Sequence, residues 1–328
     1  MISLINNPDL VDVIRRYEIR VASIDSYPLF HLLKTDRGTK VLTVWNDLET
    51  LKNSYRFKES LAKSGFRKIN RFIKTKDYAP YVENQGIGYS LTDLVNGMTP
   101  TATRSQDIDL IGSTLAEFHT ALENSQPDQP FELWSRHFNQ GLEHLKKVEK
   151  ELNEKTNKQP LDIKLLKDMP KHLEQVKQSI LMAKKVEKNA FKNGLNVKWC
   201  HGNPQISSFR VDEYGEGWLI DLTVPVVDVP AYDLAKLIIR IYKKSGYNHQ
   251  LMQGLLENYQ KAKQLTIEDK LWLLTYIAYP HDIWKFIYVY YRVKIPQPEE
   301  INEQYTGLIE QQINLGSLYQ FLFTYFAL

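Results

Sequence analysis

The sequence predicts an α+β chain in which a small, β-rich N-terminal part, residues 1–95, precedes a larger and mainly helical part, residues 96–328. Three observations predict that division. Runs of β-branched and aromatic residues lie before Trp45 and again between Phe66 and Tyr89, turn-forming residues gather between 90 and 100, and from Asp107 onward the pattern is helical.

Taken in order, Val21 to Leu33 and Lys40 to Trp45 flank the turn Thr35-Asp36-Arg37-Gly38, which predicts a hairpin opening a small sheet. Asn46-Asp47 followed by Leu48, Leu51, Tyr55, Phe57 and Leu61 predicts a capped amphipathic helix that ends near Gly65. Phe66 to Ile73 and Tyr78 to Tyr89 supply further strands, and residues 90 to 100, with Asn96-Gly97 and Pro100, read as a connector. A helical insertion follows at about 126–198, with Pro127, Pro130, Pro160 and Pro170 expected to mark breaks. Within it Trp134, Phe138 and Leu142 recur at helical spacing and read as core. His119 and His281 read as structural.

With 328 residues, 43% hydrophobic and 25% charged, the chain can bury a sizeable core. A formal charge of +3 from 42 basic and 39 acidic residues gives no general reason to bind nucleic acid or an acidic membrane. Thirteen lysines and seven acids between Lys146 and Lys192 form a local basic excess, read as a solvated helix face; arginine is absent from it, which argues against phosphate-fork recognition of nucleic acid. Cys200 is the single cysteine, so an intrachain disulfide and a thiolate metal cluster are excluded. Met1 to Leu10 lack the basic head and apolar run of a signal peptide, so synthesis and retention in the cytoplasm are expected. The apolar stretch Leu271 to Tyr291 is broken by Pro280, His281, Asp282 and Lys285, which predicts buried helices and no membrane span. No zinc spacing and no Ser-His-Asp order is present.

The stretch that carries chemistry is Trp199-Cys200-His201-Gly202-Asn203-Pro204-Gln205-Ile206-Ser207-Ser208-Phe209, followed by Trp218-Leu219-Ile220-Asp221. Then comes Asp228-Val229-Pro230-Ala231-Tyr232-Asp233-Leu234-Ala235, where Pro230 suits a helix start and Asp233 its first turn. This order resembles the catalytic loop, metal-binding strand and following helix of the small-molecule kinases of the aminoglycoside phosphotransferase and choline kinase group. Those carry His-Gly-Asp, an Asn five residues after the Asp, and a strand ending Ile-Asp. The resemblance puts Asn203 at the Asp and Ser208 at the Asn, and leaves Asp221 alone with the residue type that holds a metal bridging nucleotide phosphates. An amide can neither accept the proton of an attacking hydroxyl nor supply charge beside magnesium.

Further landmarks extend the likeness. Leu265-Thr266-Ile267-Glu268, Tyr279-Pro280-His281-Asp282-Ile283-Trp284-Lys285 and Tyr290-Tyr291 are similar to the C-terminal helices of the CotS family of spore coat proteins, as are Leu115-Ala116-Glu117-Phe118-His119 and the connector from Tyr89 to Gly97. The resemblance implies a two-lobed protein-kinase-like fold. It places Asn203 and His201 at the catalytic loop, Asp221 and Ser208 at the metal, and Thr43, Glu49, Tyr89 and Leu91 at the nucleotide, although Glu49 also reads as a first-turn acid favoured by the helix dipole. Thr43 falls where active kinases carry a strand lysine, Lys40 is three residues away and so on the opposite face, and Ala22 to Tyr27 hold no glycine for a phosphate loop.

The resemblance therefore implies a spore coat protein with a degenerate kinase site, binding ATP and Mg²⁺ weakly or not at all. Other spore coat proteins are the expected partners, with a small molecule in the inter-lobe cleft as a further ligand; neither nucleic acid nor a membrane is expected. Three functions stay open: a pseudokinase acting as a structural or binding component of the coat, an active phosphotransferase of a small hydroxyl compound, and a non-catalytic nucleotide- or sugar-binding module.

Overall fold

In the computed structural model, residues 8–125, 127, 129–222, 225–296 and 298–328 are described. They divide into two compact units, one formed by Met1–Ser125, Pro204–Val226 and Leu255–Lys263, the other by Gln126–Asn203, Val227–Gly254 and Gln264–Leu328. The β-rich segment expected at 1–95 is thus the nucleus of the first unit, which also takes up later stretches of chain.

The first unit begins with α1 (Pro8–Arg15) and an antiparallel sheet of β1 (Val21–Ser26), β2 (Phe30–Thr35), β3 (Gly38–Trp45), β4 (Phe72–Ile73), β5 (Val82–Asn84) and β6 (Ile87–Asp93), ordered β1-β2-β3-β6-β4 with β5 also on β6. The stretch from Val21 to Leu33 is two strands, not one arm of a hairpin. Pro28 has no N–H to give a ladder, and the Tyr27 N–H donates to the Phe30 carbonyl at 2.9 Å, closing a turn between them. Of the strand expected over Phe66 to Ile73 only Phe72–Ile73 pairs with β6, while Ile69 forms an isolated bridge with Leu219.

Register decides what each face of this sheet does. Leu42 of β3 stands opposite Leu91 of β6 and Thr43 opposite Ser90. By the two-residue period, Leu42, Tyr89 and Leu91 therefore share one face, where they form a buried cluster with Leu33 and with Leu10, Val13, Ile14 and Tyr17 from the α1 region. The other face carries Trp45 and Phe72, which pack with Leu51 of α2 (Leu48–Lys63). Asp47 caps α2, its carboxylate accepting the Glu49 N–H at 3.0 Å. Phe57 of α2 and Phe66 both meet Phe118 of α3 (Ser105–Ala121) edge-on.

The second unit is mostly helical. It holds the long pair α4 (Trp134–Glu154) and α5 (Pro160–Asn193), the two-stranded ladder of β7 (Lys198–Cys200) with β10 (Val226–Asp228), and then α6 (Ala231–Lys244), α8 (Ile267–Ala278), α9 (His281–Ile287) and α10 (Ile301–Tyr325). The short hairpin β8 (Phe209–Val211) and β9 (Gly217–Leu219) belongs to the first unit, and α7 (His249–Ala262) contributes to both. Pro170 does not break α5, contrary to expectation: Leu165, Met169, His172 and Val176 lie on one stripe and are all buried, so packing carries the helix through the lost hydrogen bond. Eleven of the thirteen lysines between 146 and 192 are exposed, as a solvated face requires. No helix among the described residues is long and apolar enough to cross a membrane.

Gly112 in α3 is required by contact: a Cβ there would lie 2.5 Å from the backbone oxygen of Leu255. Backbone cannot retreat as a flexible side chain can. Gly112→Ala is expected to cost about 1–3 kcal/mol, seen as a lowered urea midpoint at unchanged slope; an unchanged midpoint would mean that the two segments are free to part.

Candidate functional site

The polar face of the sheet in the first unit opens into a cleft of about 690 Å³, lined by Val41, Thr43 and Trp45 of β3, Ser90 and Thr92 of β6, Asn70 and Phe72, and Lys58 of α2. Arg210 and Asp221 line it too. That volume is in the range of small-molecule and cofactor sites. The Trp45 indole N–H donates to Ser90 Oγ at 2.9 Å and fixes part of its wall. A hollow of about 850 Å³ on the same unit shares Asn70 and Asp93 with it but has neither Lys58 nor Asp221 in its lining.

Two side chains give the cleft its chemistry. Asp221 sits at φ 62°, a left-handed conformation that a non-glycine residue adopts rarely and chiefly where the surroundings hold it there. The next residue is held by α2, since Ser54 Oγ donates to the Leu222 carbonyl at 2.8 Å. One helical turn beyond Ser54 stands Lys58, 2% exposed. Its ammonium donates to the backbone oxygen and to Oδ1 of Asn70, each at 3.1 Å, and lies 5.1 Å from the centre of the Phe72 ring. Burial pushes the Lys58 pKa down to about 7, against an opposing pull from the Asp221 carboxylate.

The expected catalytic loop begins in the second unit, leaving β7 at Cys200. Gly202 has φ 82°, so the His-Gly pair is a backbone requirement and not an incidental dipeptide. The Asp233 side chain, fully buried in the first turn of α6, accepts the His201 N–H at 2.6 Å and the Gly202 N–H at 2.9 Å. Lys236 Nζ donates to the Gly202 carbonyl at 2.6 Å and to Tyr232 Oη at 2.8 Å. The Arg240 guanidinium donates to Oδ1 of Asn203. The loop is therefore shaped by an acid and clasped by two cations. Burial, followed by repulsion from Arg240, lowers the Lys236 pKa to about 8. Cys200 is buried among these groups, and desolvation with the charges of Asp233 and Asp228 pushes its thiol well up, which makes it a poor nucleophile.

The expected site residues are scattered by the fold. Thr43 does line the cleft, and β3 brings no basic side chain to it; Lys40 is ion-paired with Asp93 and lines a different hollow. Tyr89 and Leu91 do not line the cleft: they lie one residue out of phase with Ser90 and Thr92 and fill the core. Glu49 is an exposed first-turn residue of α2 outside the cleft lining, where the helix dipole favours an acid. Ser208 is buried and its Oγ accepts the Gln205 N–H at 3.1 Å, closing a 3₁₀ turn over Ile206–Ser208. Its carbonyl accepts the Ile220 N–H at 2.7 Å, beside Asp221, and no group of three or more His, Cys, Asp or Glu that could hold a metal ion occurs among the described residues. His201 is buried, with its backbone rather than its ring tied to Asp233. His119 Nδ1 meets Tyr259 Oη at 2.8 Å, and burial lowers the His281 pKa to about 3, so the latter is a neutral packing group.

Lys58, Arg210 and Asp233 were not singled out for these roles in the sequence. Lys58 carried a signal nonetheless: it is a charged residue on the stripe set by Leu51, Ser54 and Leu61, where an amphipathic helix faces its core.

An antiparallel sheet with its helix, a polar cleft lined by Asp221 and a buried lysine, and a His-Gly loop define the protein-kinase-like class. Solved structures agree on the fold: an aminoglycoside phosphotransferase from Alicyclobacillus acidocaldarius is similar with a TM-score of 0.83 at 18% identity, over 95% of this chain and 96% of that one. Spectinomycin phosphotransferase APH(9)-Ia, solved with ADP and spectinomycin, gives 0.64 at 14% identity, with 98% of each chain covered. The choline kinase LicA from Streptococcus pneumoniae gives 0.50 at 15% identity, over 91% of this chain and 95% of that one. The chain belongs to the family described as spore coat putative kinase YutH, whose pattern it matches over residues 12–320.

One residue of the loop region makes a pH test available. Asp228, whose carboxylate accepts the Trp134 indole N–H at 3.0 Å and the Val229 N–H at 2.8 Å, has its pKa raised from 3.8 to about 8, chiefly by burial. Between those values the folded protein keeps a proton that the unfolded chain has released. Stability conferred by this group therefore falls as pH rises through that window, by up to about 1.4 kcal/mol per unit. Asp228→Asn cannot titrate, so denaturant melts at pH 5 and pH 8 are expected to show the variant gaining at least ~1 kcal/mol on the wild type at the higher pH. Identical pH dependence in the two proteins would refute the buried neutral acid.

Proposed function

We propose that this protein is a pseudokinase of the spore coat: a kinase-fold component that keeps a nucleotide-type cleft, performs no phosphotransfer, and acts by binding other coat proteins. Family membership supports the location and the partners, and the nucleotides bound by similar phosphotransferases support the ligand class. The observation that carries the reading is the contact between Arg240 and Asn203. At the position where the family resemblance expects a carboxylate base, the chain has a neutral amide whose oxygen already accepts from a guanidinium. Loss of general-base catalysis alone costs about 10²- to 10⁴-fold, and Ser208 stands where the resemblance expects the second metal ligand.

An active phosphotransferase of a small hydroxyl compound is the competing reading, favoured by the left-handed backbone retained at Asp221. The two differ in their response to one substitution. Asn203→Asp would restore the carboxylate, but beside Arg240 it would be drawn into an ion pair that lowers its basicity. Purified wild type and Asn203→Asp, incubated with ATP, Mg²⁺ and a panel of aminoglycosides, choline and sugars, are expected to release equally negligible ADP. A gain of tenfold or more in the variant would sink the multiply disabled site, and turnover by the wild type would establish the competing reading.

A further inference from the structure

Kinases of this fold class neutralise nucleotide phosphates with a lysine delivered from the sheet, and here β3 supplies Thr43 instead. The cleft nevertheless contains a buried lysine with an unusual status. Lys58 is 2% exposed, and its ammonium has three protons to place. Two go to one residue, Asn70, and no carboxylate among the described residues lies within the 4.0 Å of an ion pair. Asp221 pulls on it through space without pairing. Buried cations are ordinarily paired, because desolvation of an unpaired charge is costly. Lys58 faces a cleft of about 690 Å³, large enough for a nucleotide, with an unmatched positive charge on its wall.

We propose that Lys58, projecting from α2, is the cationic group that receives the phosphate chain of a nucleotide in this cleft, in place of the missing strand lysine. The inference deepens the pseudokinase reading and rests on its nucleotide-type cleft. The helix geometry supports the placement: Ser54, one turn before Lys58, holds the Leu222 carbonyl, so the same edge of α2 is fastened to the segment that carries Asp221. The Asn70 side chain and carbonyl aim the ammonium, and the Phe72 ring face lies beside it at 5.1 Å from its centre. Arg210 also lines the cleft but donates to the carbonyls of Ser207 and Phe209 at 2.9 and 2.7 Å, so part of its fork is already engaged.

The arrangement has a signature that a purely structural lysine would lack. Free of ligand, Lys58 titrates near neutrality, since burial brings its pKa to about 7. The other charged groups on the cleft wall are Asp47 capping α2, Asp93 from β6, Arg210 from β8 and Asp221 after β9; among the described residues the lining includes no histidine and no second lysine. A polyanion placed against the ammonium favours its charged form, so binding at pH 7.5 to 8.5 must take up protons, and affinity falls as pH rises above about 7.

The test is calorimetric titration of the full chain with ATP and with adenosine, at pH 6.5 and 8.5 and in two buffers of different ionisation enthalpy. Wild type is expected to bind ATP at least tenfold more tightly than adenosine at pH 6.5, to lose roughly tenfold in ATP affinity by pH 8.5, and to take up a fraction of a proton. Lys58→Met should bind the two ligands alike and without proton uptake. Lys58→Arg should keep the preference for ATP and lose its pH dependence. An ATP preference that survives Lys58→Met, or wild-type binding without proton exchange, would overturn the role of Lys58 while leaving the cleft a nucleotide site. Failure of the wild type to bind either ligand would overturn both the role and the nucleotide-binding part of the pseudokinase reading. Should Lys58→Met fail to fold, the wild-type proton count and Lys58→Arg decide the question.

Discussion

The carboxylate of Asp233 is the constraint on which the loop depends. It is fully buried and receives two consecutive backbone N–H groups, those of His201 and Gly202, at 2.6 and 2.9 Å. Charge-assisted bonds of this kind are about twice as strong as neutral ones, and leaving their donors unpaired in the interior would forfeit the desolvation cost of each. The rest follows from the pitch of α6. Asp233, Lys236 and Arg240 are spaced so as to share one side of that helix, and they reach the His201 and Gly202 amides, the Gly202 carbonyl and the Asn203 side chain in turn. One helix face is thus committed to holding three residues of loop.

That commitment separates scaffold from chemistry. The loop is held by a left-handed glycine and a buried acid, and the amide oxygen of Asn203 accepts from a guanidinium. An active site of this class needs carboxylates to work beside metal ions, whereas the groups that close on this loop are Lys236 and Arg240, each with its pKa lowered by burial. In the first unit, Lys58 is the buried ionisable group of α2 on the cleft wall.

Much of this was legible in the sequence, and the failures share a cause. The capped helix after Asn46-Asp47, the shift from strand to helix patterning, and the loop itself were readable because each is encoded by neighbours in the chain: Asp47 does cap α2, and α3 begins at Ser105. Tyr89 and Leu91 were assigned to the ligand and belong to the core because strand faces alternate and the motif alone does not say which face is wet; the cross-strand pair Thr43 with Ser90 settles it. Pro170 was read as a break because its local effect is known, while the buried stripe that overrides it is tertiary. Asp233 was read as a first-turn acid, which it is, but its partners lie about thirty residues earlier and could not be seen from its own segment.

Lys58 shows most clearly what local reading omits, because its meaning is energetic. A lysine whose folded pKa is lowered to about 7 holds fewer protons in the folded chain than in the unfolded one between that value and 10.5. Folding stability from this group accordingly rises as pH increases through that window and is poorest at and below neutrality. A protein that used the position only for packing would do better with methionine, which fills the same volume without a charge to desolvate. Asn70 offsets part of the cost through its two acceptors, yet no carboxylate completes the pair. Under the proposed role, an anion entering the cleft would offset the free energy that the fold forgoes at Lys58, and a residue that is costly empty and favourable occupied is what a binding site requires.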